Sequence, residues 1–146
     1  MTLYLDTSSL VKLYVAEYGS EIVRGDVERA TIVATSLIAY PEARAALARR
    51  RRERALRPAA FTAAKLKFDE DWPKYLGVQL TEALCRDAGN LAERYGLRGY
   101  DSVHLASFLE VARQAGAADT EFSSFDGRLN GAARRALRDL ARGPGA

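Results

Sequence analysis

A chain of 146 residues, 48% hydrophobic and 28% charged, supports one core and buries about two-thirds of its unfolded surface without staples. Its apolar runs fall far short of the roughly 18 residues that span a membrane, which excludes a membrane-spanning helix and predicts a soluble protein. A lone Cys85 excludes an internal disulfide and, with no Cys–His spacing around it, a zinc site.

With no signal peptide in view, the cysteine usage predicts a reducing, cytoplasmic setting. The formal net charge is +3, and the cations gather in "ARRRRERALR", Ala48 to Arg57. Such a run is either a solvated helix face or a patch that takes phosphates.

In chain order, "LYLD" (Leu3 to Asp6) reads as a short strand ending in an acid. "TSSLVKLYVAEYGS" follows as a helix with Leu10, Leu13 and Tyr14 at helical spacing. "SEIVRGDVERA" predicts a second helix, opened by Ser20, with Ile22, Val23 and Val27 on one face. "TIVATS" is β-branched and apolar, a second strand. Ser36 then caps "LIAYPEARAALARRRRERAL", a strong helix former in which Pro41 starts or kinks the first turns and Glu42 lies near the start. Pro58 to Tyr75 reads as a further helix, with Phe61, Leu66, Phe68 and Trp72 as its apolar contacts and Pro73 marking its end.

"YLGVQL" alternates Leu76, Val78 and Leu80 as a strand, Thr81 caps "EALCRDAGNLAERY", and Gly96 stops that helix. The next helix opens near Tyr100 and Asp101, carries an apolar stripe of Val103, Leu105, Ala106 and Leu109, and closes at Gly116. "TEFSSFD" is a last strand ending in Asp126, and "GRLNGAARRALRDLA" a terminal helix. Residues 1–141 are read as a single domain and 142–146 as a flexible tail. Strands alternating with helices, without hairpin signals, predict an α/β fold: a mostly parallel sheet of four to five strands with helices on both faces.

Ligands of such sheets bind beyond the carboxyl ends of the strands. Four of the nineteen carboxylates lie at junctions of this kind: Asp6 and Asp126 at strand ends, Glu42 and Asp101 near helix starts. Gathered at one rim without a cation they would raise one another's pKa, so a cluster calls for a counter-charge. Carboxylates without histidine or thiolate are hard donors suited to Mg²⁺ or Mn²⁺. Ser8, Ser9 and Ser124 can add a hydroxyl or orient water. Such a site binds a phosphate ester, activates a water and stabilises the leaving oxygen. Against this, each acid taken alone serves equally as an N-cap or as a complement to a helix dipole.

Lys12 and Arg98 flank the rim, and Arg49, Arg50, Arg51 and Arg52 head the basic run; these are the candidate phosphate contacts. His104, three positions beyond Asp101, sits in an apolar stripe and is read as a packed structural residue. The aromatics of "FTAAKLKFDEDWPKY" are read as core at helical spacing, not as a stacking platform for bases.

Four segments carry a family resemblance: "LYLDTSSLVKLY", "TSLIAYPEARAAL", "YGLRGYDSVHLAS" and "EFSSFDGRL". In order and extent, Leu3 to about Leu140, the chain resembles a PIN domain, of the VapC type found as the toxin ribonuclease of toxin–antitoxin pairs. The resemblance implies a divalent-metal-dependent endoribonuclease whose catalytic and metal-binding acids are Asp6, Glu42, Asp101 and Asp126. It also implies an RNA substrate, a cognate antitoxin and a homodimer. Ser124 stands where the family often has Thr, and Pro41 precedes the second acid where many relatives continue a plain helix. Two other readings remain open: an aspartate-based phosphohydrolase with Asp6 as nucleophile, and a catalytically silent module of the same fold that binds RNA or protein.

Overall fold

In the computed structural model, which describes residues 1–143, β1 (Thr2–Leu5) and β2 (Ile32–Ser36) are the inner strands of a four-stranded sheet. β3 (Leu76–Val78) and β4 (Thr120–Ser123) complete it, in the order β3-β2-β1-β4 with every pairing parallel. Tyr4 stands between Ala34 of β2 and Phe122 of β4. The helices are α1 (Thr7–Val11), α2 (Ser20–Arg29), α3 (Ala39–Arg52), α4 (Pro58–Asp71), α5 (Glu82–Tyr95), α6 (Gly99–Ala115) and α7 (Gly127–Arg142). None of them is long and apolar enough to cross a membrane, among the described residues.

Both faces of the sheet are covered, which is why β1 reads as an unbroken apolar run and not as an alternation. The period-two geometry sends Leu3 and Leu5 into a core with Leu10, Val23, Ala43, Leu47 and Phe68, from α1 to α4. Tyr4 and Ala34 point the other way, against Leu105, Phe108, Leu129 and Ala132 of α6 and α7. Thr35, fully buried, donates its hydroxyl to Leu5 O at 2.7 Å, so its polar atom carries no desolvation cost.

Several local expectations need correction. α1 is a single turn; Leu13 and Tyr14 keep their helical spacing through three-residue turns, with Leu13 N–H donating to Leu10 O and Tyr14 N–H to Val11 O. Ser20 is not the cap of α2, whose N-cap is Gly19 in the left-handed region at φ +88°. Ile22 is 58% exposed and Leu66 is 68% exposed, so neither belongs to the core face assigned to it. Ser36 accepts from Ile38 N–H at 3.2 Å just before α3 and does not cap the helix. Pro41 is the third residue of α3, inside the first turn and not at its start, where its missing N–H would have had no partner in the helix anyway. β3 is a three-residue edge strand whose Leu76 is half exposed, as is Leu80 beyond its end.

The terminal helix runs to Arg142, past the predicted domain end at 141. Residues 144–146 of the predicted tail lie outside the described residues.

In a parallel sheet all carboxyl ends share one rim. The chain winds from β1 outward through β2 and β3, then returns to place β4 on the opposite side of β1. That reversal puts the topological switch point between β1 and β4, the place where α/β folds bind ligands. Asp6 and Ser124 follow the two strands there.

Candidate active site

Asp6 follows β1 directly and begins α1. Its backbone is extended, and its side chain accepts from Ser9 N–H at 3.0 Å, the N-cap bond of that helix. Two hydroxyls add to this: Ser8 Oγ donates to Oδ1 at 2.7 Å and Ser124 Oγ to Oδ2 at 2.6 Å. Asp6 N–H donates to Ser123 O, a bond of the last β1–β4 pair, Leu5 with Ser123, which anchors the Asp6 backbone at the end of the sheet. Asp6 is only 5% exposed. Burial pushes its carboxyl above the ordinary value; the Ser124, Ser8 and Ser9 donors pull against this without reversing it. A carboxylate offers about four acceptor positions, and the three bonds leave one, on Oδ2.

Ser124 stands just past β4, across from Asp6. While donating to Asp6 it accepts from Asp126 N–H at 3.0 Å, so one hydroxyl joins the first acid to the backbone of the fourth. Asp126 does not close a strand as expected, because β4 ends at Ser123; it caps α7, accepting from Leu129 N–H at 3.0 Å.

Glu42 lies in the first turn of α3 and meets two donors at Oε1: Thr7 Oγ1 at 2.7 Å and His104 Nε2 at 2.8 Å. Its Oε2 has no hydrogen-bond partner among the described residues. Burial acts to raise this carboxyl, but the hydrogen bonds from His104 and Thr7 outweigh it and hold it below the ordinary value. His104 is buried, and its other nitrogen, Nδ1, lies 2.8 Å from the Tyr4 hydroxyl. A single tautomer satisfies both contacts: Nε2–H donates to Glu42 and Nδ1 accepts from Tyr4. Burial pushes the Tyr4 phenol well up, which keeps its proton available to donate. Strand β1, α1, α3 and α6 are thereby tied together by one polar chain, Tyr4–His104–Glu42–Thr7.

Asp101, one turn before His104 on α6, takes a different partner: Arg98 Nε at 3.2 Å, from an arginine whose side chain is 82% exposed. Ser124 thus links Asp6 to Asp126, and Thr7 and His104 hold Glu42, while Asp101 is paired separately with Arg98. Among the described residues no three His, Cys, Asp or Glu side chains form a group that could hold a metal ion. The donor chemistry nevertheless suits a hard divalent cation, since every available atom is a carboxylate or hydroxyl oxygen. Oδ2 of Asp6 and Oε2 of Glu42 keep positions that no donor among the described residues uses.

The predicted phosphate contacts are largely engaged elsewhere. Lys12 and Arg50 both pair with Glu17 at 3.0 Å, and Lys12 also covers the Phe125 ring at 4.5 Å. Arg49 pairs with Glu53 at 2.9 Å, and Arg51 lies over Phe61. Arg52 is exposed and has no ion pair among the described residues. Two residues that sequence reasoning did not connect to the site are central to it, Thr7 and His104. The i, i+3 spacing from Asp101 was the available signal for His104; its apolar neighbours on α6 masked it.

Residues 3–128 match the family described as PIN domain. The chain belongs to the PIN-domain family. Two relatives place it further, within the VapC type. Ribonuclease VapC45 of Mycobacterium tuberculosis (strain CDC 1551 / Oshkosh) and Ribonuclease VapC49 of Mycobacterium tuberculosis (strain ATCC 25618 / H37Rv) are each 38% identical over 108 residues, covering 74% of this chain and 75% of the relative. The crystal structure of PAE2754 from Pyrobaculum aerophilum matches with a TM-score of 0.63 over 98% of this chain and 91% of that one, at 18% identity, which bears on the fold alone. This PIN domain carries Asp6 at the carboxyl end of β1, directly before α1.

Proposed function

We propose that the chain is a divalent-metal-dependent endoribonuclease, the toxin of a cytoplasmic toxin–antitoxin pair, with single-stranded RNA as substrate. The observation that carries this reading is Asp6: a buried carboxylate at the topological switch point, supported by three donors and left with one free acceptor position. The names of the two VapC relatives support RNA as the substrate. Asp6, Asp101 and Asp126 would hold Mg²⁺ or Mn²⁺, with Glu42 completing the acidic site. When bound, the ion supplies a water of lowered pKa and a counter-charge for the phosphodiester.

The chain's own residues set the stage for this. Ser8 and Ser124 hold the Asp6 carboxylate in one orientation, as supporting partners of ligands do. His104 and Thr7 fix Glu42 so that Oε2 faces away from the protein donors, ready to accept a proton or orient a water. Arg98, now on Asp101, becomes free for a substrate phosphate once another cation neutralises that acid. A cognate antitoxin and a homodimer belong to the same proposal.

One observation favours a second reading, the catalytically silent binding module. Asp101 is already neutralised by Arg98, and no group of three ligating side chains stands ready among the described residues. Incubating the purified chain with RNA and Mn²⁺ decides between them. Internal cleavage that stops with chelator and disappears in Asp6→Asn supports the nuclease. RNA bound but left uncut across Mg²⁺ and Mn²⁺ concentrations selects the silent module. For the phosphohydrolase reading, a covalent phospho-aspartate on Asp6 is the required result.

A further inference from the structure

The arginines assigned to RNA from the sequence lie on α3, where Arg49 and Arg50 are held in ion pairs. Another set is freer. Along α7, Arg128, Arg135, Arg138 and Arg142 recur at steps of seven, three and four residues, which aligns them on one face of the helix. All four are exposed. The stripe begins two residues past Asp126, the N-cap at the acidic rim, and extends for about 21 Å at the helical rise. At its start Arg128 donates to Gly96 O at 3.4 Å, beside the turn that carries Arg98.

Further along, Arg94 and Tyr95 of α5 join Arg135, Arg138, Asp139 and Arg142 around a concavity of about 620 Å³. Its walls carry four guanidiniums and one carboxylate. Arg94 and Arg135 each lie over the Tyr95 ring, with Cζ 5.4 and 5.3 Å from its centroid, which limits the freedom of both. Asp139 is taken by Arg94 at 2.9 Å. Arg135, Arg138 and Arg142 have no ion-pair partner among the described residues. The dipole of α7 accounts for a cation in its last turn, Arg142, but not for Arg135 turned into the same concavity.

We propose that this stripe is a docking track for the backbone of single-stranded RNA, leading the strand from the α5–α7 concavity to the acidic rim. The proposal rests on the ribonuclease reading and adds where the substrate lies beyond the cleaved bond. Guanidiniums bind phosphate through paired N–H donors and offer planes on which bases stack. Holding them in advance on an aromatic ring lowers the ordering cost of binding. An acidic peptide would match the charge but would make no use of stacking planes.

The test compares the full chain with Arg135→Gln/Arg138→Gln/Arg142→Gln, all surface positions, and with the charge-keeping Lys version of the same triple. KM and kcat are measured with Mn²⁺ on oligouridylates of about 4 and about 24 nucleotides, the longer one chosen to span the site sizes of single-strand binders. Affinity for the longer strand is followed against salt with chelator present. The Gln triple should raise KM for the long strand about tenfold, leave kcat and the short substrate unchanged, and flatten the log–log salt slope by about two, the counterions of three phosphates. The Lys triple should keep the slope. An unchanged slope and KM in the Gln triple, with RNA still cut, overturns the track and leaves the nuclease reading intact. Wild-type chain that neither cuts nor binds RNA removes both. Loss of polyglutamate binding in the Gln triple, with its RNA slope unaltered, makes the stripe a protein-docking surface and overturns the proposal. Thermal melts of the three chains confirm that each is folded.

Discussion

Replacing Asp6 by Asn separates the two roles that this residue combines, helix cap and acidic ligand. Asn keeps an oxygen for Ser9 N–H and Ser8 Oγ, and as an N-cap it ranks with Asp. Its amide would face Ser124 Oγ in place of Oδ2, where a hydroxyl can turn from donor to acceptor. The substitution also removes a buried charge whose carboxyl is pushed up by desolvation, so at neutral pH the ionised form works against folding. These effects oppose one another, and the net change in unfolding free energy should stay within about 1 kcal/mol of zero, on the stabilising side. Cleavage should fall by about 100-fold or more, since even partners that only orient a ligand cost up to that factor. Asp6→Ala provides the contrast: it loses the cap and leaves the Ser8 and Ser124 hydroxyls without their acceptor, at a cost of about 2–4 kcal/mol. Urea unfolding with chelator present gives the stabilities, and a fluorogenic RNA gives the rates. If Asp6→Asn lost more than about 2 kcal/mol along with its activity, Asp6 would be a structural cap and the reasoning would fail.

Other outcomes follow from the same geometry. His104→Gln breaks the buried chain that connects Glu42 to Tyr4, so cleavage should drop about 10- to 100-fold and unfolding should cost about 1–3 kcal/mol; unchanged rates with that stability loss would make His104 a packing residue only. Acid titration should show opposite signs at two carboxyls. Glu42 contributes stability above its ordinary value of 4.5 that is lost as pH falls through its lowered value, so Glu42→Gln should lessen the acid-side loss. Ionised Asp6 costs stability that protonation relieves, so Asp6→Asn should steepen that loss; melts between neutrality and about pH 3 with the reverse order would contradict both. On α4, Phe68 is fully buried between Tyr14, Tyr40 and Trp72, and Phe68→Ala should cost about 3–5 kcal/mol in denaturant unfolding. Leu66→Ala on the exposed side of the same helix should cost no more than about 0.5 kcal/mol.

Elements with their own punctuation are legible in the sequence. Thr81 caps α5 through Leu84 N–H, Gly96 ends it in the left-handed region at φ +63°, and Gly116 follows the last residue of α6. The alternation of strands and helices suffices for a parallel sheet, and with it for the placing of Asp6 at a rim. Errors arise where tertiary pairing sets the limit. "EFSSFD" has the apolar and hydroxyl content of a strand through Asp126, yet β1 offers β4 partners only as far as Leu5, and the chain then turns so that Ser124 can reach Asp6. Ile22 and Leu66 fit a helical stripe, but periodicity alone does not say which side of a helix has a sheet beside it. The contact between Glu42 and His104 joins residues 62 positions apart, and neither local pattern points to the other. Likewise Glu17, which draws Lys12 and Arg50 away from a phosphate role, has no motif of its own.

If water activated by a divalent ion at the acidic rim cuts RNA internally, the chemistry of the product ends must carry its mark. A defined single-stranded RNA, digested and analysed end by end, should show internal cuts that need Mg²⁺ or Mn²⁺ and leave one free hydroxyl and one phosphomonoester at each break. Products ending in 2′,3′-cyclic phosphate, formed equally well with chelator present, would show attack by the RNA's own 2′-hydroxyl and contradict the proposed mechanism.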